Sequence, residues 1–177
     1  RIMYMTPDLG LTERAPDPKT QPLTFRFDPK HPVPTAGGSM AHLCEILEPE
    51  RGLDYVPAFG DRDKYYGNHG RQIVPWGPID QVESEWMIGI GAPYRPLANR
   101  PDVLSFQTDP LEEDLEITGQ VRIKLWISSS ATDTDFTAKL VDVYPANDDY
   151  PNGYAMNLSD TVLRMRYRNS WTRPEMM

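Results

Sequence analysis

The sequence predicts an all-β fold, a two-layer sandwich of the jelly-roll kind, on three observations. From Val121 to Ser128 the chain reads VRIKLWIS, so Val121, Ile123, Leu125 and Ile127 share one face and Arg122, Lys124, Trp126 and Ser128 the other. That is the period of a half-buried strand. From Phe136 to Tyr144 (FTAKLVDVY) the run is β-branched, aromatic and apolar on both faces, as in a strand covered from two sides. Finally, 18 of 177 residues are proline, about twice the usual share. Proline is expelled from helix interiors and central strands, so short elements joined by extended loops are expected and long helices are not.

The remaining elements follow in chain order. Residues 1–22 are polar and marked by Pro7, Pro16 and Pro18, and are read as a leading segment or linker. Residues 23–177 are read as one accessory-sized domain. Leu23 to Asp28 (LTFRFD) alternates and predicts a strand. In the following DPKHPVPTAGG, three prolines impose extended backbone and Gly37-Gly38 permits a sharp turn. Met40 to Glu48 has helical spacing, with Ser39 as N-cap and Pro49 as stop. From about residue 50 to 96 the chain is a Gly, Pro and aromatic excursion containing Tyr65, Tyr66, Trp76, Trp86 and Tyr94. So much aromatic surface is rarely left in solvent, so the excursion is expected to cover a sheet edge or dock on a neighbour.

Val103 to Gln107 predicts a short strand, and Leu115 to Thr118 leads through Gly119 into the strand at Val121. The link SSSATDTD is turn chemistry, whose hydroxyls and carboxylates bond nearby amides. The strands it joins are therefore expected to pair antiparallel. After Tyr144 the turn signal is Asn152-Gly153, and two further strands are expected at Tyr154–Leu158 and Leu163–Arg168.

The net charge of −8 disfavours nucleic acid and anionic membranes as partners, because binding either relies on clustered Lys and Arg. There is no apolar run of about 20 residues and no signal-peptide centre in RIMYMTPDLG. Cys44 is the lone cysteine, so no internal disulfide can form, which fits a reducing, cytoplasmic compartment. An Arg at position 1 suggests a piece of a longer protein.

Candidate chemistry is sparse. Gly37-Gly38-Ser39-Met40-Ala41 falls one residue short of a nucleophile elbow, and Pro32 and Pro34 deny it the buried strand an elbow requires. His31, His42 and His69 are read as satisfied or solvent-facing, and none has metal-ligand spacing with Cys44. Asp133-Thr134-Asp135 and Asn147-Asp148-Asp149 are oxygen-rich enough for a hard cation but are read as turn-forming side chains. Arg164, Arg166 and Arg168 are read as a face pairing with the surplus of acid rather than an anion site. Asn157-Leu158-Ser159 matches a glycosylation sequon, a pattern often met by chance. No catalytic residue, metal or cofactor is assigned.

Several blocks together resemble a known family. YRPLANRPDVLSFQTDPLEEDLEITGQVRIKLWISSSATDTDFTAKLVDVYP and YAMNLSDTVLRMRYRNSW, preceded by Phe25–Gly38 (FxxDPxxPVPTxGG) and Gly77–Gln81 (GPxDQ), look like the carboxy-terminal domain of the X-Pro dipeptidyl-peptidase and cocaine esterase family. That family also includes α-amino acid ester hydrolases and glutaryl cephalosporin acylases. The resemblance runs from about Leu23 to Trp171. It implies a galactose-binding-domain-like jelly roll behind an α/β-hydrolase domain that holds the catalytic Ser, Asp and His. The partner it implies is that catalytic domain of the same polypeptide; without it, the aromatic patch of the excursion is expected to drive self-association into a homo-oligomer. Trp76, Trp86 and Tyr94 are the candidate contacts. The rival reading is a free-standing jelly-roll carbohydrate-binding module, whose aromatics would be spaced along one strand face rather than gathered in a covering loop.

Overall fold

In the computed structural model, which describes residues 1–38, 77–84, 87 and 90–177, strands account for nearly all the regular structure. Among the described residues these are β1 (Tyr4–Met5), β2 (Leu11–Thr12), β3 (Asp135–Tyr144) and β4 (Tyr154–Arg164), with single 3-10 turns at Leu97–Asn99 and Met165–Tyr167. Among the described residues the chain is all-β, as its proline content leads one to expect. The helix expected at Met40–Glu48 and most of the aromatic excursion lie outside the described residues.

Two units emerge. The first comprises Arg1–Val33 and Arg95–Val121. Here β1 and β2 pair antiparallel around a turn in which Leu9 takes φ 65°, and Thr6 N–H donates to the Gly10 carbonyl at 2.9 Å. Gln107 joins this hairpin through mutual backbone bonds with Leu9 and Leu11 at 3.0 and 2.8 Å. Arg100 holds Asp102 through two bonds (2.9 and 3.0 Å) and reaches the His31 carbonyl at 2.8 Å. Their side chains are only 14% and 6% exposed, so the pair is among the better shielded ion pairs. Leu97 is the buried apolar residue of this unit.

The second unit comprises Pro34–Tyr94 and Arg122–Met177, and its frame is the β3–β4 hairpin. The two strands pair antiparallel from Asp135↔Arg164 to Tyr144↔Tyr154, with a bulge opposite Leu140/Val141 that takes up Leu158. The connection turns where Asn152-Gly153 predicts: Gly153 has φ 76°, its N–H donates to the Tyr150 carbonyl at 2.9 Å, and a Cβ there would stand 2.7 Å from the Tyr144 carbonyl. Only glycine meets both conditions cheaply. Tyr150 in the loop and Tyr154 at the start of β4 pack with ring centres 4.8 Å apart at a tilt of 50°. Among the described residues of this unit Ala36, Met87 and Met165 are the buried apolar side chains, and Gln81 and Asn157 are buried polar ones.

Several expectations are corrected. Val121–Ser128 forms no ladder among the described residues, and β3 takes β4, not this segment, as its antiparallel partner. Val121, Ile123 and Leu125 are 50%, 41% and 45% exposed, and Trp126 is 85% exposed. Alternation supplies a face, but a strand also requires a neighbouring backbone, which periodicity does not specify. The link SSSATDTD does not fold back because it runs beside the carboxy-terminal segment: the Thr134 and Thr132 carbonyls accept from Met165 and Met177 N–H, both at 2.9 Å. Leu23–Asp28 and Leu115–Thr118 likewise form no ladder among the described residues, and of Val103–Gln107 only Gln107 makes a bridge.

At the carboxy-terminal end, two expected strands become one strand and a turn. The polar Ser159-Asp160-Thr161 reads as a break, yet Lys139 stands opposite Asp160 and carries the ladder across it. The chain then tightens into the 3-10 turn at Met165–Tyr167, so Arg164, Arg166 and Arg168 do not form a single strand face.

Burial predicts how these segments respond to substitution. Met165→Asp should lower the thermal midpoint strongly, because it puts an unpaired charge where Met165 is 5% exposed. Leu125→Asp in the isolated chain should change stability by only about 0.5 kcal/mol. Circular dichroism melts of the two variants check this ordering, and equal losses would mean that Leu125 is a core residue after all.

Candidate functional site

The most elaborate polar arrangement lies where two separated stretches, Ala36–Gly38 and Gly77–Gln81, meet on the β3–β4 hairpin. Gly38 and Gly77 exchange backbone hydrogen bonds at 2.9 and 3.4 Å. All three glycines have positive φ (69°, 94° and 90° for Gly37, Gly38 and Gly77). A Cβ on Gly37 would run into the Gly77 carbonyl, and one on Gly38 into the Asp160 carboxylate. The double glycine thus answers to two constraints at once, a left-handed backbone and the close approach of another chain segment.

From this neck the loop runs antiparallel alongside the start of β4. Gln81 N–H donates to the Ala155 carbonyl at 3.0 Å, Asn157 N–H to the Ile79 carbonyl at 3.3 Å, and Ala155 N–H to Asp80 Oδ1 at 2.9 Å. Tyr154 donates its hydroxyl to the Pro78 carbonyl at 2.7 Å. Burial, reinforced by the nearby Asp80 carboxylate, raises its pKa. Every residue of the Gly77–Gln81 stretch therefore contributes backbone or side chain to the junction.

Beneath lies a buried knot. Gln81 Nε2 donates to the carbonyls of Ala36 and Ile79 at 2.8 and 2.9 Å, and Asn157 Nδ2 adds a bond to the same Ala36 carbonyl at 3.3 Å. Lys139 Nζ donates to Gln81 Oε1 at 2.7 Å. Burial lowers the pKa of Lys139, and the Asp160 charge opposes that shift without cancelling it. Such a knot fixes position; it offers no nucleophile paired with a base. Sequence reasoning did not anticipate it. The available signal was a lysine in the middle of a strand that carries apolar residues on both faces.

The other candidate residues resolve individually. Asp133 and Asp135 are held by arginines: Arg166 reaches Asp133 through side chain and backbone at 2.6 and 2.9 Å, and Arg164 grips both oxygens of Asp135 at 2.8 and 3.0 Å. Arg168 turns to the Met165 and Glu175 backbone carbonyls and the Glu175 carboxylate. The reading of these arginines as partners for acid holds. Asn147 Oδ1 accepts from the Asp149 and Tyr150 amides at 3.0 and 2.9 Å, a turn-forming role. No group of metal-ligating side chains occurs among the described residues.

Asn157 is 2% exposed, so its sequon is closed to modification. His31 meets Asp28 at 3.1 Å in solvent, with both side chains more than half exposed. His42, His69, Cys44 and Ser39 lie outside the described residues. Of the proposed contacts, Tyr94 is 44% exposed, while Trp76 and Trp86 lie outside the described residues.

Two predictions follow from this geometry. Gly38→Ala should destabilise the chain by roughly 1–3 kcal/mol or more, since it combines backbone strain with a clash at Asp160. The same substitution at Gly91, whose added Cβ would meet nothing within 4 Å, is the control in a urea titration.

The second prediction concerns acid. Asp135 is held below the ordinary aspartate value by hydrogen bonds from Arg164; for Asp133 desolvation pulls upward and is outweighed by the bonds from Arg166. Depressed carboxyls contribute stability that is complete above the unfolded value of about 4 and is lost as pH falls through the folded values. The Asp133→Asn/Asp135→Asn double variant should therefore melt lower at pH 7 yet lose less than the parent on going to pH 3. Parallel pH curves for the two proteins would contradict this.

The two stretches that meet at the junction are also blocks by which the sequence is recognised. The chain matches the X-Pro dipeptidyl-peptidase C-terminal non-catalytic domain over residues 6–177. It is similar to the cocaine esterase of Rhodococcus sp. (strain MB1 Bresler), with 34% identity over 154 residues. That alignment covers 87% of this chain and 18% of the esterase, so the chain spans less than a fifth of its relative's length. No solved structure matches. A family match over nearly the whole chain, agreeing with a junction built for position rather than chemistry, gives the assignment: the chain belongs to the X-Pro dipeptidyl-peptidase C-terminal non-catalytic domain family.

Proposed function

We propose that this chain is the accessory domain of a serine hydrolase acting on esters or amides, that it packs on an α/β-hydrolase catalytic domain of the same polypeptide, and that it helps to shape the substrate pocket there. The observation that carries the reading is the match to a non-catalytic hydrolase domain over residues 6–177. The similarity to cocaine esterase supports the ester branch of that chemistry. In this reading residues 23–177 make up a jelly-roll accessory domain, residues 1–22 lead into it, and the protein works in the cytoplasm. No helix among the described residues is long and apolar enough to cross a membrane.

The contacts proposed for the catalytic domain are Trp76, Trp86 and Tyr94. Exposure of Tyr94 supports this, since a large aromatic on a surface is the kind of group an interface buries. In the isolated chain the same contacts lead to a homo-oligomer.

Two measurements test the proposal. Against p-nitrophenyl acetate and an X-Pro p-nitroanilide the chain alone should show no turnover, and activity abolished by Ser39→Ala would overturn the accessory role. Light scattering across a concentration series should give a mass above that of one chain, reduced to one chain in the Trp76→Ala/Trp86→Ala/Tyr94→Ala variant. A parent that stays monomeric and binds no ANS has no docking face of this kind.

A further inference from the structure

One alternation runs unbroken from Asp114 to Lys124 (DLEITGQVRIK). Leu115, Ile117, Val121 and Ile123 occupy odd positions on either side of Gly119, while Asp114, Glu116, Thr118, Gln120, Arg122 and Lys124 occupy the even ones. In extended backbone these are two opposite faces. Every residue from 111 to 126 is exposed, and the stretch joins no ladder among the described residues. The apolar face stands open, with Leu115, Ile117, Val121 and Ile123 at 40%, 53%, 50% and 41% exposure. On the other face, side chains two positions apart already touch: Thr118 Oγ1 donates to Glu116 Oε1 at 3.1 Å, and Lys124 Nζ lies 4.8 Å from the centre of the Trp126 ring. The stretch bends once, at Gly119, where φ is 93° and an added Cβ would meet nothing within 4 Å.

The charged face is divided unequally, for both acids precede Gly119 and both bases follow it. Such a strand is complementary to its own reverse. With a two-fold axis at Gly119, Asp114 of one copy stands opposite Lys124 of the other, Leu115 opposite Ile123, Glu116 opposite Arg122, Ile117 opposite Val121 and Thr118 opposite Gln120. Every pair then matches acid with base, apolar with apolar or polar with polar. A slip of one residue sets the apolar face against the charged one. A slip of two sets Val121 or Ile117 against Gly119, and the two bends no longer coincide. Parallel pairing in register sets acid against acid and base against base.

We propose that two copies of this chain pair antiparallel through Asp114–Lys124 about a two-fold axis at Gly119. A second copy is the occupant because the charges needed across the ladder are those of the segment itself, and such a self-complementary contact closes at two copies. The proposal deepens the self-association put forward above and rests on it. A two-stranded ladder alone is marginal in water, so the ladder sets the register while Trp76, Trp86 and Tyr94 supply buried area.

Two readouts test the pairing. Copies carrying Ile117→Cys are mixed with ¹⁵N-labelled copies carrying Val121→Cys, both in a Cys44→Ser background, and the oxidised dimers are weighed by mass spectrometry. Opposed residues of an antiparallel pair have Cα atoms about 4.5–5.5 Å apart, within disulfide reach. Ile117 and its own counterpart are four positions out of line, about 13 Å, and beyond that reach. The mixed dimer should therefore exceed either self-dimer about tenfold. In light scattering, Asp114→Lys/Glu116→Lys sets base against base and should raise the dimer dissociation constant about tenfold or more. Adding Arg122→Glu/Lys124→Glu restores the opposition of charge and should recover the dimer. Circular dichroism checks that each variant is folded; if a charge reversal unfolds the chain, the cross-link decides. An oligomer that gives no mixed cross-link overturns the strand pairing and leaves the self-association standing, as would happen if the two arms paired within one chain. A parent that is monomeric at every concentration overturns both, and folded reversals that neither weaken nor restore the dimer overturn the register.

Discussion

The second unit depends on one carbonyl. Ala36 C=O receives the side-chain amides of both Gln81 and Asn157, and Gln81 in turn receives Lys139. Four stretches of chain are tied there: the double-glycine turn, the Gly77–Gln81 loop and the two hairpin strands. A buried polar group left without a partner costs roughly 1–3 kcal/mol, so releasing any member exposes the others to that cost. Asn157 Oδ1 already receives no hydrogen bond among the described residues, so the knot has little slack. Glycine at positions 37 and 38 is the steric condition for the approach, since a side chain at either would hold the loop away from the hairpin.

The hairpin itself is secured at its far end by electrostatics of a different kind. Asp133, Asp135 and Glu175 are distributed over Arg166, Arg164 and Arg168, so that neighbouring arginines do not compete for one acid. Of these only Asp133 is strongly shielded, at 12% exposure. The Arg164–Asp135 pair is open to solvent and its two-point geometry fixes orientation more than it adds stability. A chain of net charge −8 gains from this placement, because its cations are spent inside the fold on local acids.

Taken together, the described residues put their polar chemistry into holding loops against a hairpin. That agrees with the non-catalytic domain family to which the chain belongs, since fixing backbone in place needs no reactive group.

How much of this was legible in the sequence depends on the range of the interaction. The all-β class, strand β3, the turn at Gly153 and the Asx turn at Asn147 are local properties of proline content, β-branching and turn chemistry, and each was readable from a few neighbouring residues. The family blocks were readable too, although their meeting was not. Strand partners were misread because the alternation of Val121–Ser128 and Leu23–Asp28 describes a face and is silent about which backbone lies alongside. Gln81, Lys139, Asn157 and Asp160 lie up to 79 residues apart in sequence, and Ala36 stands 121 residues before Asn157, and no local pattern links an amide at one position to a carbonyl at another. Only the tertiary structure decided that Ala36 is the common acceptor, because desolvation makes those bonds obligatory only after the chain has brought them together.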